Sequence, residues 1–301
     1  MKQALVLGGG GARGLSQIGI LKVLEREGFR PDLIVGCSIG AIIGGMYAQN
    51  PRIDVLEKRA FDFFGSSEYG DFNINVLENH HIADDDQDFI HQIARNIERR
   101  VLLNIVASRE SILNDDRLGK AVRYLVEKGK IEDTQIPFAC NATDLVSGEP
   151  VLFTKGDIHN AIKASGSIPG YLPPVHYDSK VLVDGAVSYA LPIKFARSLG
   201  ADFVIAVDVK QKLRPQSEYL NVFDVILRAG LVTASVLSEE IPDKADILIR
   251  PEVDEYFWYD FRRADQIISA GEEAVDQHLN EIRKHIGRSA KNLFGKLFKN
   301  N

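Results

Sequence analysis

Two short segments of the chain carry side chains that together could open an ester bond. The segment Gly36–Gly40 reads Gly-Cys-Ser-Ile-Gly and follows an apolar run, which is the pattern of a serine exposed on a sharp turn between a strand and a helix. Much later, Asp184 ends another apolar run and is followed by the small residues Gly185 and Ala186. Because a serine hydroxyl needs a neighbouring base at neutral pH, we predict Ser38 as the nucleophile and Asp184 as its base.

The assignment of the base has two alternatives. Asp-Gly is a common turn pair, so Asp184 could be a structural turn residue. A Ser-His-Asp triad would instead need a histidine that follows a strand and carries a turn signal. None of the seven histidines does so, and His176 is predicted to lie in a loop after two prolines. The histidines are His80, His81, His91, His159, His176, His278 and His285.

A glycine-rich segment, Gly8–Gly14, follows the first apolar run and precedes a helical pattern. Backbone N–H groups at such a helix start can bind an oxyanion or a phosphate. The glycine spacing at positions 9, 11 and 14 also fits a dinucleotide-binding loop, which should be accompanied by an acidic residue at the end of the second strand. Here the second strand leads directly into Gly36 and Cys37 with no acid. We therefore favour the oxyanion over the nucleotide.

Alternating strand-like and helical patterns predict an α/β fold with a mostly parallel central sheet. The predicted strands are Ala4–Leu7, Leu33–Val35, Ile136–Asn141, Val151–Phe153, Val181–Val183, Phe203–Val209 and Ile247–Ile249. The predicted helices are Leu15–Glu27, Ser38–Gln49, Pro192–Leu199 and one long helix, Phe261–Ile286.

Residues 51–135 differ from the rest because they are more charged and have few strand signals. Helix-like patterns fall near Asp54–Phe64, Asp88–Ala107 and Asp115–Lys128. We predict a mostly helical insertion, which either forms a cap over the site or simply covers one face of the sheet.

The bulk composition is that of an ordinary globular protein, with 45% hydrophobic and 26% charged residues. The net charge of −6 argues against a nucleic-acid-binding protein. Two cysteines, Cys37 and Cys140, are too few for a disulfide scaffold, which favours a reducing compartment. We find no convincing signal peptide or membrane-spanning segment and expect a cytoplasmic protein.

The last residues, 287–301, form a basic amphipathic tail. Residues 283–301 contain six basic residues and no acidic ones, so the rest of the chain is more acidic than the net charge indicates. Apolar residues from Ile286 to Phe298 follow helical spacing, with basic residues on the other side, which is typical of a helix at a membrane surface. The alternative is a C-terminal helix that packs on the domain or on the second subunit of a homodimer.

Taken together, these motifs resemble the patatin-like phospholipases, most closely the compact bacterial members. Four blocks carry the resemblance in order: the glycine loop Gly8–Gly14, the elbow Gly36–Gly40, the segment Ala164–Pro169, and Asp184-Gly185-Ala186. The resemblance implies a three-layer α/β fold in which residues 1–286 form a single catalytic domain with the helical insertion at 51–135. Ala186 departs from the family, in which a second glycine is more frequent there.

The resemblance also implies a Ser-Asp dyad of Ser38 and Asp184 that hydrolyses acyl esters of lipids through an acyl-enzyme, with no metal and no cofactor. The N–H groups of Gly9, Gly10 and Gly11 would form the oxyanion hole, and Arg13 would brace their loop. The supporting residues are Gly8, Arg13, Gly14, Gly36, Gly40 and Gly185. A phospholipid is the expected substrate, with peripheral membrane binding through the tail. A non-catalytic lipid-binding protein and an acyltransferase are the competing functions. We expect burial to raise the pKa of Asp184.

Overall fold

An eight-stranded mixed sheet forms the centre of the protein. The computed structural model describes residues 1–72, 110–111, 116–210 and 244–287, with residues 213, 225, 228–230, 232–233 and 235–236 between them. The strands are β1 (Gln3–Leu7), β2 (Leu33–Gly36), β3 (Phe138–Asp144), β4 (Pro150–Phe153), β5 (Val175–Tyr177), β6 (Lys180–Asp184), β7 (Phe203–Val207) and β8 (Ile247–Ile249).

The strand order is β5-β6-β3-β2-β1-β7-β8, with β4 also paired to β3. The five strands from β3 to β8 in this order are mutually parallel, whereas β4 and β6 run antiparallel to β3, and β5 runs antiparallel to β6. The predicted α/β fold with a mostly parallel sheet flanked by helices is therefore confirmed. The antiparallel part carries Asp184 at the end of β6.

Helices cover both faces of the sheet, which gives three layers. They are α1 (Ser16–Arg26), α2 (Ile39–Gln49), α3 (Ile53–Phe64), α4 (Ser67–Phe72), α5 (Arg117–Leu125), α6 (Ile158–Ser165), α7 (Ala186–Tyr189), α8 (Ile193–Ser198) and α9 (Ala264–Asp276). Side chains alternate along a strand, so Leu5 and Leu7 of β1 join the larger core, while Ala4 and Val6 join a smaller core under α8. Both faces of the central strands are apolar because both faces are covered.

Helices α1 and α9 cross with their backbones in direct contact. A Cβ atom added at Gly19 would meet the carbonyl oxygen of Ile268, and one added at Gly271 would meet that of Ser16. Glycine at both positions is what permits this close approach. Helix α1 begins directly after a short 3₁₀ helix, Gly11–Leu15, which belongs to the glycine loop.

The prediction of one continuous helix over Phe261–Ile286 is wrong. A 3₁₀ turn, Phe261–Arg263, precedes α9, which ends at Asp276, and a second helical segment runs from 279 to 287. The N–H of His278 bonds the carbonyl of Val275, so the chain tightens there instead of continuing as an α-helix. After the break, the second segment lies at the N-terminal ends of β1 and β7, where His285 bonds Gln3 and stacks on Phe203.

Two further predictions differ from the structure, one for a loop and one for the end of a strand. His176 does not lie in a loop but in the short edge strand β5, which pairs with β6. The strand predicted over Phe203–Val209 ends at Val207.

The described parts of the predicted insertion are helical, as α3, α4 and α5. Leu56, Phe63 and Val122 from these helices lie in the larger core. The helix predicted near residues 88–107 lies outside the described residues, and the cap stays a prediction.

Candidate active site

The Gly-x-Ser-x-Gly segment forms a sharp turn between β2 and α2. Ser38 has φ 55° and ψ −122°, a strained conformation for a residue with a side chain. The turn is tight because a Cβ atom at Gly36 would meet the carbonyl of Gly40, and one at Gly40 would meet the carbonyl of Leu7. The two glycines are therefore required by the backbone that presents Ser38 at the start of the helix.

Ser38 and Asp184 are in direct contact. Ser38 Oγ donates to Oδ2 of Asp184 at 2.6 Å, while Oδ1 accepts the Ala186 N–H at 2.8 Å and lies 3.9 Å from the Cys37 thiol. The strand register explains the meeting, since Gly36 pairs with Cys140 on β3 and Asp184 pairs with Ala142, two residues further along the same strand.

The dyad is almost completely shielded from solvent, with 7% of Ser38 and 4% of Asp184 exposed. Burial raises the pKa of Asp184 to about 6, because the ionised form loses solvation, while the hydrogen bonds from Ser38, Ala186 and Cys37 act in the opposite direction. A carboxylate with this pKa is a stronger base than an exposed aspartate and is still ionised at neutral pH.

The described histidines make other contacts. His159 bonds the carbonyl of Val126 at 2.9 Å, His176 lies 3.7 Å from Glu110, and His285 bonds Gln3 at 3.0 Å. Neither Ser38 nor Asp184 has a histidine as a hydrogen-bond partner within the part of the chain that the structure describes. His80, His81 and His91 lie outside the described residues.

The amides of the predicted oxyanion hole differ in their hydrogen bonds. The N–H of Gly9 donates to the carbonyl of Ala190 at 2.9 Å, and the N–H of Gly8 donates to Val207 at 3.0 Å. The Gly9 amide is thus already bonded within the protein and would have to give up this hydrogen bond to bind an oxyanion. The N–H groups of Gly10 and Gly11 have no hydrogen-bond partner among the described residues. They are the amides that remain for an oxyanion.

Contacts on the far side of the loop fix Gly10 and Gly11. Gly11 has φ +60°, and a Cβ there would meet the carbonyl of Trp258, which also accepts the Ala12 N–H at 2.7 Å. A Cβ at Gly10 would lie 2.8 Å from the carbonyl of Val209. Both positions therefore exclude a side chain for reasons of backbone contact.

Arg13 lies buried behind this loop. Its Nε donates to the carbonyl of Val209 at 3.2 Å, and its Nη1 donates to that of Tyr256 at 3.3 Å. Burial lowers the pKa of Arg13 to about 10, and the charge of Asp254 acts against that shift. The guanidinium connects the glycine loop to the segments that confine Gly10 and Gly11.

The other supporting glycines also lie at close contacts. A Cβ at Gly14 would meet the side chain of Ile39, and one at Gly185 would meet the carbonyl of Asn141. Asn141 was not predicted from the sequence, yet its amide donates to the carbonyls of Gly185 and Tyr189 at 3.0 and 3.1 Å. Gln17, also not predicted, donates to the Gly8 carbonyl at 2.7 Å. No local sequence signal identifies either residue, because each depends on a contact between separate elements.

The fold and the site define an α/β protein whose elbow serine contacts a buried carboxylate beside a glycine loop. Residues 5–197 match the patatin-like phospholipase family. The chain therefore belongs to that family.

Curated relatives include one protein named as a lysophospholipase and two named only for their patatin-like phospholipase domain. The chain is 29% identical to lysophospholipase NTE1 of Debaryomyces hansenii over 303 residues, which cover 91% of this chain and 18% of that protein. It is 28% identical to human patatin-like phospholipase domain-containing protein 6 over 89% of this chain and 19% of that protein. It is 33% identical to patatin-like phospholipase domain-containing protein ZK370.4 of Caenorhabditis elegans over 68% of this chain and 13% of that protein.

The chain thus spans less than a fifth of the length of each of these relatives. Among solved structures, VipD from Legionella pneumophila is similar with a TM-score of 0.44 and 13% identity, covering 93% of this chain and 67% of that one. The relatives named above are a yeast, a human and a nematode protein, and kinship with bacterial members stays an expectation.

None of the helices among the described residues has the length and apolar character needed to cross a membrane. The same residues contain no group of three or more His, Cys, Asp or Glu side chains arranged to hold a metal ion.

Proposed function

We propose that the chain is a serine lipid acyl hydrolase of the phospholipase A, lysophospholipase or carboxylesterase type. The observation that carries this proposal is the 2.6 Å contact between Ser38 Oγ and Asp184 Oδ2 in a site shielded from water. Membership of the patatin-like phospholipase family and the names of its lysophospholipase relatives support a lipid ester as the substrate.

In the proposed reaction, Oδ2 of Asp184 accepts the proton of Ser38 as Oγ attacks the ester carbonyl. The negative charge that develops on the carbonyl oxygen is stabilised by the N–H groups of Gly10 and Gly11. The tetrahedral intermediate collapses, Asp184 gives its proton to the departing alcohol, and Ser38 carries the acyl group. In the second half of the reaction Asp184 accepts a proton from water as the water attacks the acyl-enzyme, and it returns this proton to Ser38 Oγ as the fatty acid leaves.

Oδ1 of Asp184 has a different task. It accepts the N–H of Ala186 at 2.8 Å, which fixes the orientation of the carboxylate and keeps Oδ2 directed at Ser38. This anchoring replaces the orienting role that a third residue plays in a triad, because base and nucleophile already meet without an intermediary.

The proposal is tested by comparing the wild-type chain with Ser38→Ala and Asp184→Asn. We expect the wild type to hydrolyse a short-chain nitrophenyl ester and a lysophospholipid, and both variants to lose at least about 10³-fold in kcat with normal circular dichroism. A fluorophosphonate should label Ser38 and no other serine. Substitution of each histidine by alanine should leave substantial activity.

Other outcomes would assign the chain differently. A wild-type protein that binds lipid vesicles but cleaves no ester and is not labelled would be a non-catalytic member of the family. New esters formed with added glycerol or lysolipid at the expense of fatty acid release would indicate an acyltransferase. A histidine variant as inactive as Ser38→Ala, with a normal fold, would exclude the two-residue dyad.

A further inference from the structure

The segment Ser165–Ser167, at the end of α6, contacts both halves of the dyad. The N–H of Ser38 donates to Ser165 Oγ at 2.9 Å. The N–H of Asp184 donates to the carbonyl of Ser167 at 2.8 Å, and the N–H of Gly185 donates to the carbonyl of Ser165 at 3.1 Å. One three-residue segment therefore accepts hydrogen bonds from the backbones of the nucleophile, its base and the residue after the base.

Of these three hydrogen bonds, only the one to the Ser165 hydroxyl is accepted by a side chain. A serine near a helix end commonly bonds its own helix, as Ser167 does when its Oγ donates to the carbonyl of Lys163 at 2.8 Å. Ser165 is the last residue of α6, yet its hydroxyl reaches a different element, the turn between β2 and α2. It is fully buried.

The Ser38 peptide needs to be held because its conformation is strained. Its carbonyl is bonded from within α2, by the N–H groups of Ala41 and Ile42 at 2.9 and 3.2 Å. Its N–H is bonded by Ser165 Oγ. The direction of this N–H sets where the Ser38 side chain points, and burial leaves no solvent to replace a lost acceptor.

We propose that Ser165 is a positioning residue that holds Ser38 Oγ in line with Oδ2 of Asp184. This inference rests on the proposed function. The same segment also bonds the Asp184 and Gly185 amides, so it contacts the backbone on both sides of the 2.6 Å hydrogen bond between Ser38 and Asp184. The hydroxyl does not touch the Asp184 carboxylate, so its contribution is geometric.

The test is Ser165→Ala, which removes one oxygen atom and leaves the backbone contacts of the segment in place. A displacement of about 1 Å between reacting groups can cost about 100-fold in rate. We therefore expect kcat to fall by about 10- to 100-fold on a short-chain ester, with KM little changed and fluorophosphonate labelling slowed by the same factor. The acidic limb of the pH profile should move to higher pH, because a displaced Ser38 hydroxyl no longer donates the hydrogen bond that lowers the pKa of Asp184.

Ser66→Ala is the matched control. Ser66 also accepts a backbone N–H with its hydroxyl, from Tyr69 at 3.3 Å, but it lies in the turn between α3 and α4. The Ser66→Ala variant should have the kcat and the fluorophosphonate labelling rate of the wild type. Ser165→Thr keeps the hydroxyl and should recover much of the rate lost in the alanine variant.

If Ser165→Ala does not fold, Ser165→Cys takes its place, because a thiol has similar shape and accepts hydrogen bonds weakly. A folded alanine or cysteine variant with wild-type kcat and labelling rate would overturn the proposal. So would an acidic limb that moves to lower pH, since loss of the Ser38 hydrogen bond raises the pKa of Asp184. A wild-type chain that neither hydrolyses esters nor reacts with the fluorophosphonate would instead contradict the proposed function, and this role with it.

Discussion

Ser38 Oγ donates to one oxygen of Asp184 at 2.6 Å, while the other oxygen of that carboxylate accepts the Ala186 N–H at 2.8 Å. The two carboxylate oxygens therefore face different partners, one a reactive hydroxyl and the other a fixed amide. A carboxylate held in this way cannot rotate without losing the amide, so the oxygen that meets Ser38 is always the same one. In the proposed mechanism this pair is positioned before substrate binds, and the pH dependence of activity should reflect a single carboxylate.

Activity is expected to rise with pH through about 6. Only the ionised form of Asp184 can accept the proton of Ser38, and burial raises its pKa to about 6. At pH 5 roughly one molecule in ten carries the ionised form, so kcat/KM should be about one-tenth of its plateau value. Initial rates on a nitrophenyl ester between pH 4.5 and 8 measure this limb, with circular dichroism at each pH as the control. A flat profile down to pH 5 would contradict the assignment of Asp184.

Stability should change in the opposite direction from activity. The folded pKa of Asp184 is above its ordinary value of 3.8, so the ionised carboxylate costs folding free energy fully above pH 6, and this cost disappears as the pH falls to about 4. Asp184→Asn removes the cost, which is on the order of 3 kcal/mol for a shift of this size. The difference in unfolding free energy between variant and wild type should therefore grow from pH 4 to 6 and stay constant above.

Urea denaturation at pH 4, 5, 6 and 7 measures this difference, and the uncharged variant should gain relative to the wild type as the pH rises. Asp202→Asn, at an exposed carboxylate, provides the control. If the Asn variant loses stability relative to the wild type with rising pH, the carboxylate is stabilised by its surroundings and the direction of the shift is wrong.

The amides of Gly10 and Gly11 should bind the oxyanion, and the Gly9 amide should not. Gly11→Ala is expected to displace its amide, because the added Cβ meets the Trp258 carbonyl. A trifluoromethyl ketone forms an oxyanionic adduct with an active serine, whereas the matching alcohol does not. Since one donor contributes ~3 kcal/mol, affinity for the ketone should fall by roughly 100-fold and that for the alcohol little.

The ketone-to-alcohol ratio separates loss of the oxyanion hole from general damage to the loop, which would weaken both ligands. Thermal unfolding is measured alongside, because the contacts at Gly11 predict some loss of stability as well. An unchanged ratio in Gly11→Ala would exclude this loop from the mechanism.

Deleting residues 287–301 should weaken binding to anionic vesicles while hydrolysis of a soluble ester persists. The basic tail would supply the attraction, and binding of the full chain should weaken as salt rises, because charges are screened beyond ~10 Å at 0.1 M. The deletion spares the ion pair of Arg283 with Glu27 at 2.6 Å and the stacking of His285 on Phe203, so the catalytic part keeps its contacts with the last described helix.

A second variant separates charge from packing in the tail. Replacing Arg288, Lys291, Lys296 and Lys299 by glutamine keeps the apolar side chains and removes the positive charge. It should reduce vesicle binding as the deletion does. Unfolding of the truncated protein, or vesicle binding equal to that of the full chain, would identify the tail as structural.

Ser38 and Asp184 could be proposed from the sequence as nucleophile and base because each lies in a local sequence pattern. Ser38 lies in a Gly-x-Ser-x-Gly segment, in which the tight turn requires the two glycines. Asp184 is the last residue of an apolar strand and is followed by two small residues. That β6 runs antiparallel to β3 could not be predicted, because strand direction depends on pairing between distant segments. Short apolar runs in the sequence indicated the strands but not their order in the sheet.

The choice among the loop amides was beyond sequence reasoning for a similar reason. Gly9, Gly10 and Gly11 are chemically identical, and only the position of the Ala190 carbonyl, which bonds the Gly9 amide, distinguishes the first from the other two. Ser165 was visible as part of a family block, but its contact with the Ser38 N–H depends on where α6 ends in space. The prediction of one long C-terminal helix was wrong because the helical spacing of apolar residues continues on both sides of Gln277 and His278. The backbone tightens at these two residues, which the spacing does not reveal.

The close approach of helices α1 and α9, which Gly19 and Gly271 permit, lies far from the proposed catalytic centre but helps to position it. Helix α1 begins directly after the glycine loop. The close backbone contacts at Gly19 and Gly271 fix the position of α1 against α9. A methyl group at Gly271 would push α1 away and carry the loop amides with it, although no reactive group lies nearby. In a saturation mutagenesis screen scored by turnover, Gly19 and Gly271 should therefore tolerate substitution as poorly as the elbow glycines. The loss of turnover in a natural variant at this crossing would resemble that of an active-site substitution.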